Sequence, residues 1–327
     1  MTEMLKILPR HQIDATAWDA CVAISRQRIL YGYSWYLDAV LPSPSWKWEG
    51  LVLTDEAERY QAVMPVPLRR KQIIGVTYEW VVHQPFFCQF LSVFSRAPTL
   101  NPEPFFQVIQ QRFRYGSILN VAWQPTDSSV FDTLRVQTTL MLDLAVGYEA
   151  ICQHYTRDRK VNLRRAKRAD WTVTESNNLE PLLNLFRENH ADTIRGGVAD
   201  WAYAMLRNLM SELHQRGLAT LRYAIYNEQI EAGALFAHEG NRIIYLFNAA
   251  SAVGRQGNAR TLLIDQMIRE KAGNPVIFDF ESPEKLSIRE FYRSFGAIEE
   301  PFWTMRWSRL TTLERTIQRL RNRLKIL

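Results

Sequence analysis

The stretch GRQGNAR, residues 254–260, combines two glycines and an alanine with two cations, Arg255 and Arg260. Glycine lets the backbone turn tightly, and Gly257 and Ala259 leave the amides around Asn258 open to an approaching pyrophosphate. Arg255 and Arg260 add positive charge, and a helix opening here adds the positive end of its dipole. The stretch is neither a Walker loop, because no Lys-Ser/Thr follows, nor a dinucleotide fingerprint. Further along, FDFES supplies Asp279 and Glu281, two apart and so expected on one face of a strand. Carboxylates beside a cofactor loop can deprotonate an amine, a role for which Glu231 competes. Tyr245 and Tyr292 are candidates to protonate a leaving thiolate. For the loop the plainer alternative is a flexible turn, and for each acid and tyrosine a structural role.

A second charged feature is RDRKVNLRRAKR, residues 157–168, with seven cations and one anion. Helical phase turns Leu163 and Ala166 inward and Arg157, Lys160, Arg164, Arg165 and Arg168 outward. That face is either solvated or an anion site for a phosphorylated or carboxylated acceptor, with Lys160, Arg164 and Arg165 as its cations. Cys21, Cys88 and Cys152 are an odd count at wide spacing, which argues against a disulfide framework and gives no zinc pattern. His11, His83, His154, His190, His214 and His238 show no metal spacing, so no metal is expected.

These residues need elements to hold them. Trp201, Met205, Leu209 and Leu213 step by four, predicting a helix over 201–216 with Asp200 as N-cap and Gly217 as stop. Three β-rich runs follow, separated by Asn227-Glu228-Gln229 and Glu239-Gly240-Asn241, a meander with Glu231 on its middle strand. A loop over 254–257 leads into a helix at 258–272, then VIFDFES as a buried strand, IREFYRSF as a helix and EEPFWTMRWS as a strand. The first half repeats this order: LVLT, QAVMPVPL and VTYEWVV as strands, PEPFFQVIQQRF as a helix, SILNVAW as a strand. The element order argues an α/β or α+β protein with an internal pseudo-repeat, although no residue-level repeat accompanies it.

With 327 residues, 47% hydrophobic and 23% charged, the chain is too apolar for disorder and long enough for two domains. No uncharged apolar run is long enough to span a membrane, and MTEMLKILPRHQ has no signal-peptide core, which together predict a cytoplasmic protein. The net charge of +6 is uneven: residues 1–150 sum to −1 and residues 151–327 to +7. The 157–168 segment supplies +6 and the 308–327 segment +5, so the surplus is local and weighs against a general nucleic-acid binder. Leu310, Leu313, Ile317, Leu320, Leu324 and Leu327 form a short heptad seam in that last segment. The seam suits a docked helix, a peripheral contact with the inner membrane surface, or a dimer contact.

VNLRRAKR, the NAAS end of the meander with Asn248, the loop-helix and FDFES…REFYRSFGA together resemble GNAT-fold acyltransferases of the Fem-type class. The resemblance is closest to the relatives linked to cell-wall and exopolysaccharide synthesis. GYSWYLDAV, AVMPVPLRR and QPFFCQF resemble the N-terminal domain of that class. The resemblance spans most of residues 30–307 and implies two tandem GNAT-like (acyl-CoA N-acyltransferase) domains with mixed central sheets. It divides the chain into a GNAT-like domain at 1–148, a second at 149–307 with the donor site, and a basic amphipathic helix at 308–327. It implies acetyl-CoA or another acyl-CoA as donor, held by Arg255, Gly257, Asn258, Ala259 and Arg260. The family carries Gln or Arg where this chain has Gly254, while Gly257 and Ala259 match.

The expected activity is N-acyl transfer to a primary amine on a small anionic acceptor, such as an amino sugar, nucleotide sugar or amino acid. Lys160, Arg164, Arg165 and Asn248 are the acceptor-side residues, and Glu231, Asp279, Glu281 and Tyr292 the catalytic ones. Two alternatives stand beside it. In one, aminoacyl-tRNA is the donor, although the charged helical insert of tRNA-using Fem-type enzymes is missing. In the other, the module is catalytically silent and holds a partner or a membrane.

Overall fold

The computed structural model describes residues 4–42, 44–73, 76–126, 131–191, 194, 197–281, 285–309, 311 and 316. The chain divides into two compact units: one joins the residues up to Gln137 with those from Phe302 onward, and the other runs from Thr138 to Pro301. In chain order the first part holds β1 (Met4–Pro9), α1 (Ala15–Ile24), α2 (Ser34–Val40), β2 (Trp46–Thr54), β3 (Tyr60–Ile73), β4 (Val76–His83), β5 (Phe94–Ser95), α3 (Glu103–Arg112) and β6 (Tyr115–Val121). Then come β7 (Thr133–Asp143), α4 (Tyr148–Gln153), α5 (Arg157–Arg168), β8 (Thr172–Glu175), α6 (Glu180–Asn189), α7 (Asp200–Gln215), β9 (Ala219–Tyr226), β10 (Gln229–Glu239) and β11 (Arg242–Ala250). The last elements are α8 (Ala252–Gln256), α9 (Ala259–Lys271), β12 (Ile277–Asp279), α10 (Leu286–Arg293) and β13 (Ile298–Ser308).

The expected pseudo-repeat is present in the strand pairing. In the first unit β2, β3 and β4 pair antiparallel, α3 crosses over, and β6 joins β4 in parallel. In the second, β9, β10 and β11 pair antiparallel, α8 and α9 cross over, and β12 joins β11 in parallel. Each parallel strand then gains an antiparallel neighbour, β13 beside β6 and β7 beside β12. The strand order is thus β1-β2-β3-β4-β6-β13 within the first unit and β7-β12-β11-β10-β9-β8 within the second.

Local chemistry explains the turns that set the meander. Tyr226 pairs with Gln229, and Asn227 and Glu228 between them take φ values of 46° and 63°. Two successive left-handed residues match the right-handed twist of a hairpin, and Asn is among the residues that tolerate this conformation best. The predicted helix at 201–216 is α7, with Met205, Leu209 and Leu213 buried; Ala199 holds the N-cap position, and Asp200 lies in the first turn. The loop expected over 254–257 is largely the one-turn helix α8, and the strand expected from VIFDFES ends at Asp279. The segment proposed as a C-terminal helix over 308–327 falls almost wholly outside the described residues.

Helix α9 lies between the sheet and α5. Its Ala259, Leu263, Ile264, Met267 and Ile268 join Phe236, Tyr245, Phe278, Phe280 and Phe295 in one apolar core. Because α5 covers its other side, polar residues of α9 are buried as well. Asp265, 1% exposed, accepts hydrogen bonds from Tyr148 Oη at 2.7 Å and Tyr155 Oη at 3.2 Å and faces Lys167 Nζ at 3.3 Å. A buried carboxylate is tolerated only with such partners.

Candidate active site

Strands β11 and β12 pair only from Arg242–Ile277 to Ile244–Asp279. Just beyond, Phe236 faces Tyr245 while Leu235 faces Phe247, so Leu246 is an extra residue in β11. This bulge bends the strand away, and β11 runs on to Ala250 past the last residue of β12, which opens a fork between the two strands. The extra residue also sets which side chains meet the core face: Tyr245 and Ala250 pack with α9 in the core, and Asn248 accepts a hydrogen bond from Arg260 Nη1 at 3.0 Å.

The N-terminus of α9 opens beside this fork. Its N-cap, Asn258, holds a left-handed φ of 57° and makes no side-chain cap, leaving the first-turn amides without that acceptor. Cations gather here. Arg255 Nη1 donates to Ala250 O at 2.7 Å, and the guanidinium of Arg260 lies 5.2 Å from the Phe291 ring centre. Neither arginine forms an ion pair among the described residues. A third, Arg159 on α5, is 5% exposed, with Nη1 bonded to Thr261 Oγ1 at 2.5 Å and Nε to Ser294 Oγ at 2.8 Å. It stacks on Phe291 and Phe295 at 4.2 and 4.6 Å. Burial, with Arg260 adding repulsion, pushes the Arg159 guanidinium down to about 10. His190, whose Nε2 accepts from Ala250 N at 3.4 Å, is held below the usual histidine range by burial, then by Arg260 and Arg255. Arg260 acts on both groups in the same direction, as a lesser cause beside burial.

The two glycines of the loop have packing reasons. A Cβ on Gly254 would come within 2.1 Å of Glu231 O, and one on Gly257 within 2.4 Å of the Trp171 ring. Trp171 Nε1 also donates to Gly257 O at 3.1 Å. Gly257 is therefore roofed by an indole, and the open amides lie after it, from Ala259 on.

The candidate acids are separated by the fold. Asp279 and Glu281 do not share a strand face: β12 ends at Asp279, and Glu281 follows with a left-handed φ of 44°. Asp279 is fully buried; its Oδ2 faces Arg242 Nη1 at 2.7 Å, and its Oδ1 accepts from Thr139 Oγ1 at 2.8 Å and Glu281 N at 3.0 Å. Three of its roughly four lone-pair sites are thus engaged within the fold, which gives Asp279 a structural setting. Glu231 is the extra residue of a bulge in β10, and its Oε2 accepts from Ser251 Oγ, while Ser251 caps α8 by accepting from Gly254 N at 3.0 Å. Its surroundings make it a support for α8.

Tyr292, by contrast, is at the site. It is 4% exposed, shares a hydrogen bond with Asn248 and feels both Arg260 and Glu281; burial pushes its phenol up to about 12. Asn248, Arg260, Tyr292 and Glu281 therefore come together. Lys160, Arg164 and Arg165 do not join them: all three are on the exposed face of α5, and Lys160 Nζ donates to Gln153 O at 3.0 Å. Arg159 was missed in sequence, yet its phase was legible, since it shares the inward face with Leu163 and Ala166. Among the described residues no group of three His, Cys, Asp or Glu could hold a metal, and no helix is long and apolar enough to cross a membrane.

Residues 154–281 match the family model of the acetyltransferase (GNAT) domain, a span that takes in α5, the meander, α9 and both arms of the fork. No curated protein matches the sequence. Among solved structures the chain is similar to FemX, at 12% identity, 93% coverage of this chain, 97% of that one and a TM-score of 0.60. It is similar also to a conserved protein of unknown function from Bacteroides thetaiotaomicron VPI-5482, at 10% identity, 93% and 99% coverage and a TM-score of 0.56. A tandem GNAT protein from the clavulanic acid biosynthesis pathway matches at 12% identity, 93% and 98% coverage and a TM-score of 0.51. At such identities the likeness is one of fold, and it defines a mixed α/β protein of tandem GNAT architecture. The family model assigns a GNAT domain to residues 154–281, and the solved structures extend the likeness of fold to the rest of the chain.

Proposed function

We propose that the protein is an N-acyltransferase that takes an acyl group from acyl-CoA and delivers it to a primary amine on a small anionic acceptor. The observation that carries this reading is the pair of arginines with no ion-pair partner among the described residues, Arg255 and Arg260, at the uncapped N-terminus of α9, next to a buried and protonated tyrosine. That combination suits a phosphorylated thioester donor: cations and amides for its pyrophosphate, and an acid for its departing sulfur.

In this reading the amides from Ala259 onward hold the pyrophosphate, together with Arg255 and Arg260. The donor supplies an activated thioester carbonyl, so the protein needs chiefly to position it against the amine. Glu281 accepts the proton that the amine loses as the C–N bond forms. Tyr292 gives its proton to the sulfur as the C–S bond breaks, and Asn248 orients Tyr292 and Arg260 together. Asp279 and Glu231 hold strands and caps. Lys160, Arg164 and Arg165 act at longer range, drawing an anionic acceptor toward α5.

Thermal-shift titration with acetyl-CoA and longer acyl-CoAs, with free CoA and ATP as controls, tests the donor. Ligand at 100 times Kd adds about 2.7 kcal/mol of stability, a shift of a few degrees. A shift for acyl-CoAs and free CoA that exceeds the one for ATP supports the reading. No shift with any CoA species overturns it and moves the search to aminoacyl-tRNA.

A further inference from the structure

Among the described residues, the core beside the fork contains a polar atom with no partner. Tyr245, 2% exposed, has its hydroxyl buried with no hydrogen-bond partner. Its ring is enclosed by Phe236 at 5.4 Å, Phe278 at 6.4 Å and Tyr292 at 5.9 Å, all measured between ring centres. Phenylalanine would fill the same space without leaving a hydroxyl unpaired. A tyrosine hydroxyl that the protein leaves unpaired in an apolar wall can take a ligand atom as its partner.

Its place in the strand says which ligand. Tyr245 directly follows Ile244, the last β11 residue paired with β12, and precedes the bulge at Leu246. It therefore stands at the closed end of the fork, whereas Asn248, Ala250 and the cations of α9 stand at the open end. A donor with its pyrophosphate on α9 and its reacting carbon near Tyr292 can direct its acyl group inward along β11, toward Tyr245. There the walls are Phe278 and Phe280, and the Tyr245 hydroxyl is the polar exception.

We infer that Tyr245 selects the acyl group, and that the donor carries a short acyl chain with a hydrogen-bonding substituent, a hydroxyl or an amino group, beyond the thioester carbonyl. This assignment rests on the acyl-CoA reading above. A plain alkyl chain leaves the hydroxyl unpaired, whereas a substituted chain pairs with it. Sites built around one buried polar group discriminate strongly against ligands that lack its partner.

Two matched pairs isolate the substituent: butyryl-CoA against 3-hydroxybutyryl-CoA, and propionyl-CoA against β-alanyl-CoA. Dissociation constants measured by calorimetry on the full chain need no acceptor. The wild type is expected to bind the substituted member of at least one pair tenfold or more tightly, and Tyr245→Phe to bind both members alike. Tyr245→Phe should also melt at the same temperature or higher, since it removes an unpaired buried hydroxyl. Free CoA separates the two readings. If free CoA binds but neither pair is discriminated, or if Tyr245→Phe keeps the preference, the selection role fails while the donor reading stands. If no CoA species binds, both fail.

Discussion

Tyr292 and Asp279 sit on neighbouring elements and illustrate opposite fates for an ionisable side chain in this core. Tyr292 keeps its proton because burial disfavours the phenolate, with its phenol pushed up to about 12 despite the opposing effects of Arg260 and Asn248. An acid with that pKa is essentially fully protonated from neutral pH to about pH 10, so its own titration imposes no falling limb on kcat below that point. Tyr292→Phe should lower kcat about 100-fold and leave the acyl-CoA dissociation constant nearly unchanged, as read by steady-state kinetics beside calorimetry. A wild-type profile that falls with an apparent pKa near 9, and keeps that shape in Tyr292→Phe, would assign the proton to another group. Part of this site was readable in the sequence. Arg255 and Arg260 stood out because they flank small residues, and Tyr292 because a phenol can protonate a leaving thiolate. Arg159 was hidden among six other cations, although the phase of Leu163 and Ala166 already turned it inward. The spacing of Asp279 and Glu281 misled for a backbone reason: the alternation of faces holds only while the strand continues, and Glu281 has left it with a φ of 44°.

Among elements, the short strand β12 has only three residues to hold it between β7 and β11. Asp279 adds side-chain fastening on both sides, to Arg242 of β11 and Thr139 of β7. Asp279→Asn keeps the shape and removes the charge, leaving Arg242 facing a neutral amide in a site that is 0% exposed on the aspartate side. Breaking a buried pair this way costs about 2–4 kcal/mol, somewhat moderated because the arginine retains some contact with solvent. Urea denaturation should show that loss, with activity per folded molecule within about twofold of wild type. A catalytic base at this position would give the reverse pattern, with stability kept and kcat reduced 100-fold or more. The elements themselves were largely predictable because the meander and α9 carry strong periodicity and good turn residues. Helix α8 was not, because a glycine in a five-residue helix erases the helical signal; only the tight seat of Gly254 on Glu231 O explains its presence.

For the molecule as a whole, the repeat is simple and its connectivity is not. The second unit is one continuous stretch, whereas the first needs residues from both ends of the chain. Nothing local in a sequence announces a partner so far away, which is why domain limits drawn along the chain missed the exchange. Strand β13 brings Trp307 against Gly116 of β6, and its Nε1 donates to Phe113 O at 2.9 Å across 194 residues of sequence. Trp307 is 1% exposed, and a Cβ on Gly116 would fall 2.3 Å from its ring, so the glycine is the notch into which the indole fits. Trp307→Ala should cost about 3–5 kcal/mol through the cavity and the lost hydrogen bond. Gly116→Ala should also destabilise, because its methyl has no space while the indole is present. The double variant decides whether notch and ring act together: with the indole gone the methyl fits, so denaturation should show a combined loss at least 1 kcal/mol smaller than the sum of the singles. Strict additivity would mean that Gly116 is required for its backbone alone and that the notch has no part in holding β13.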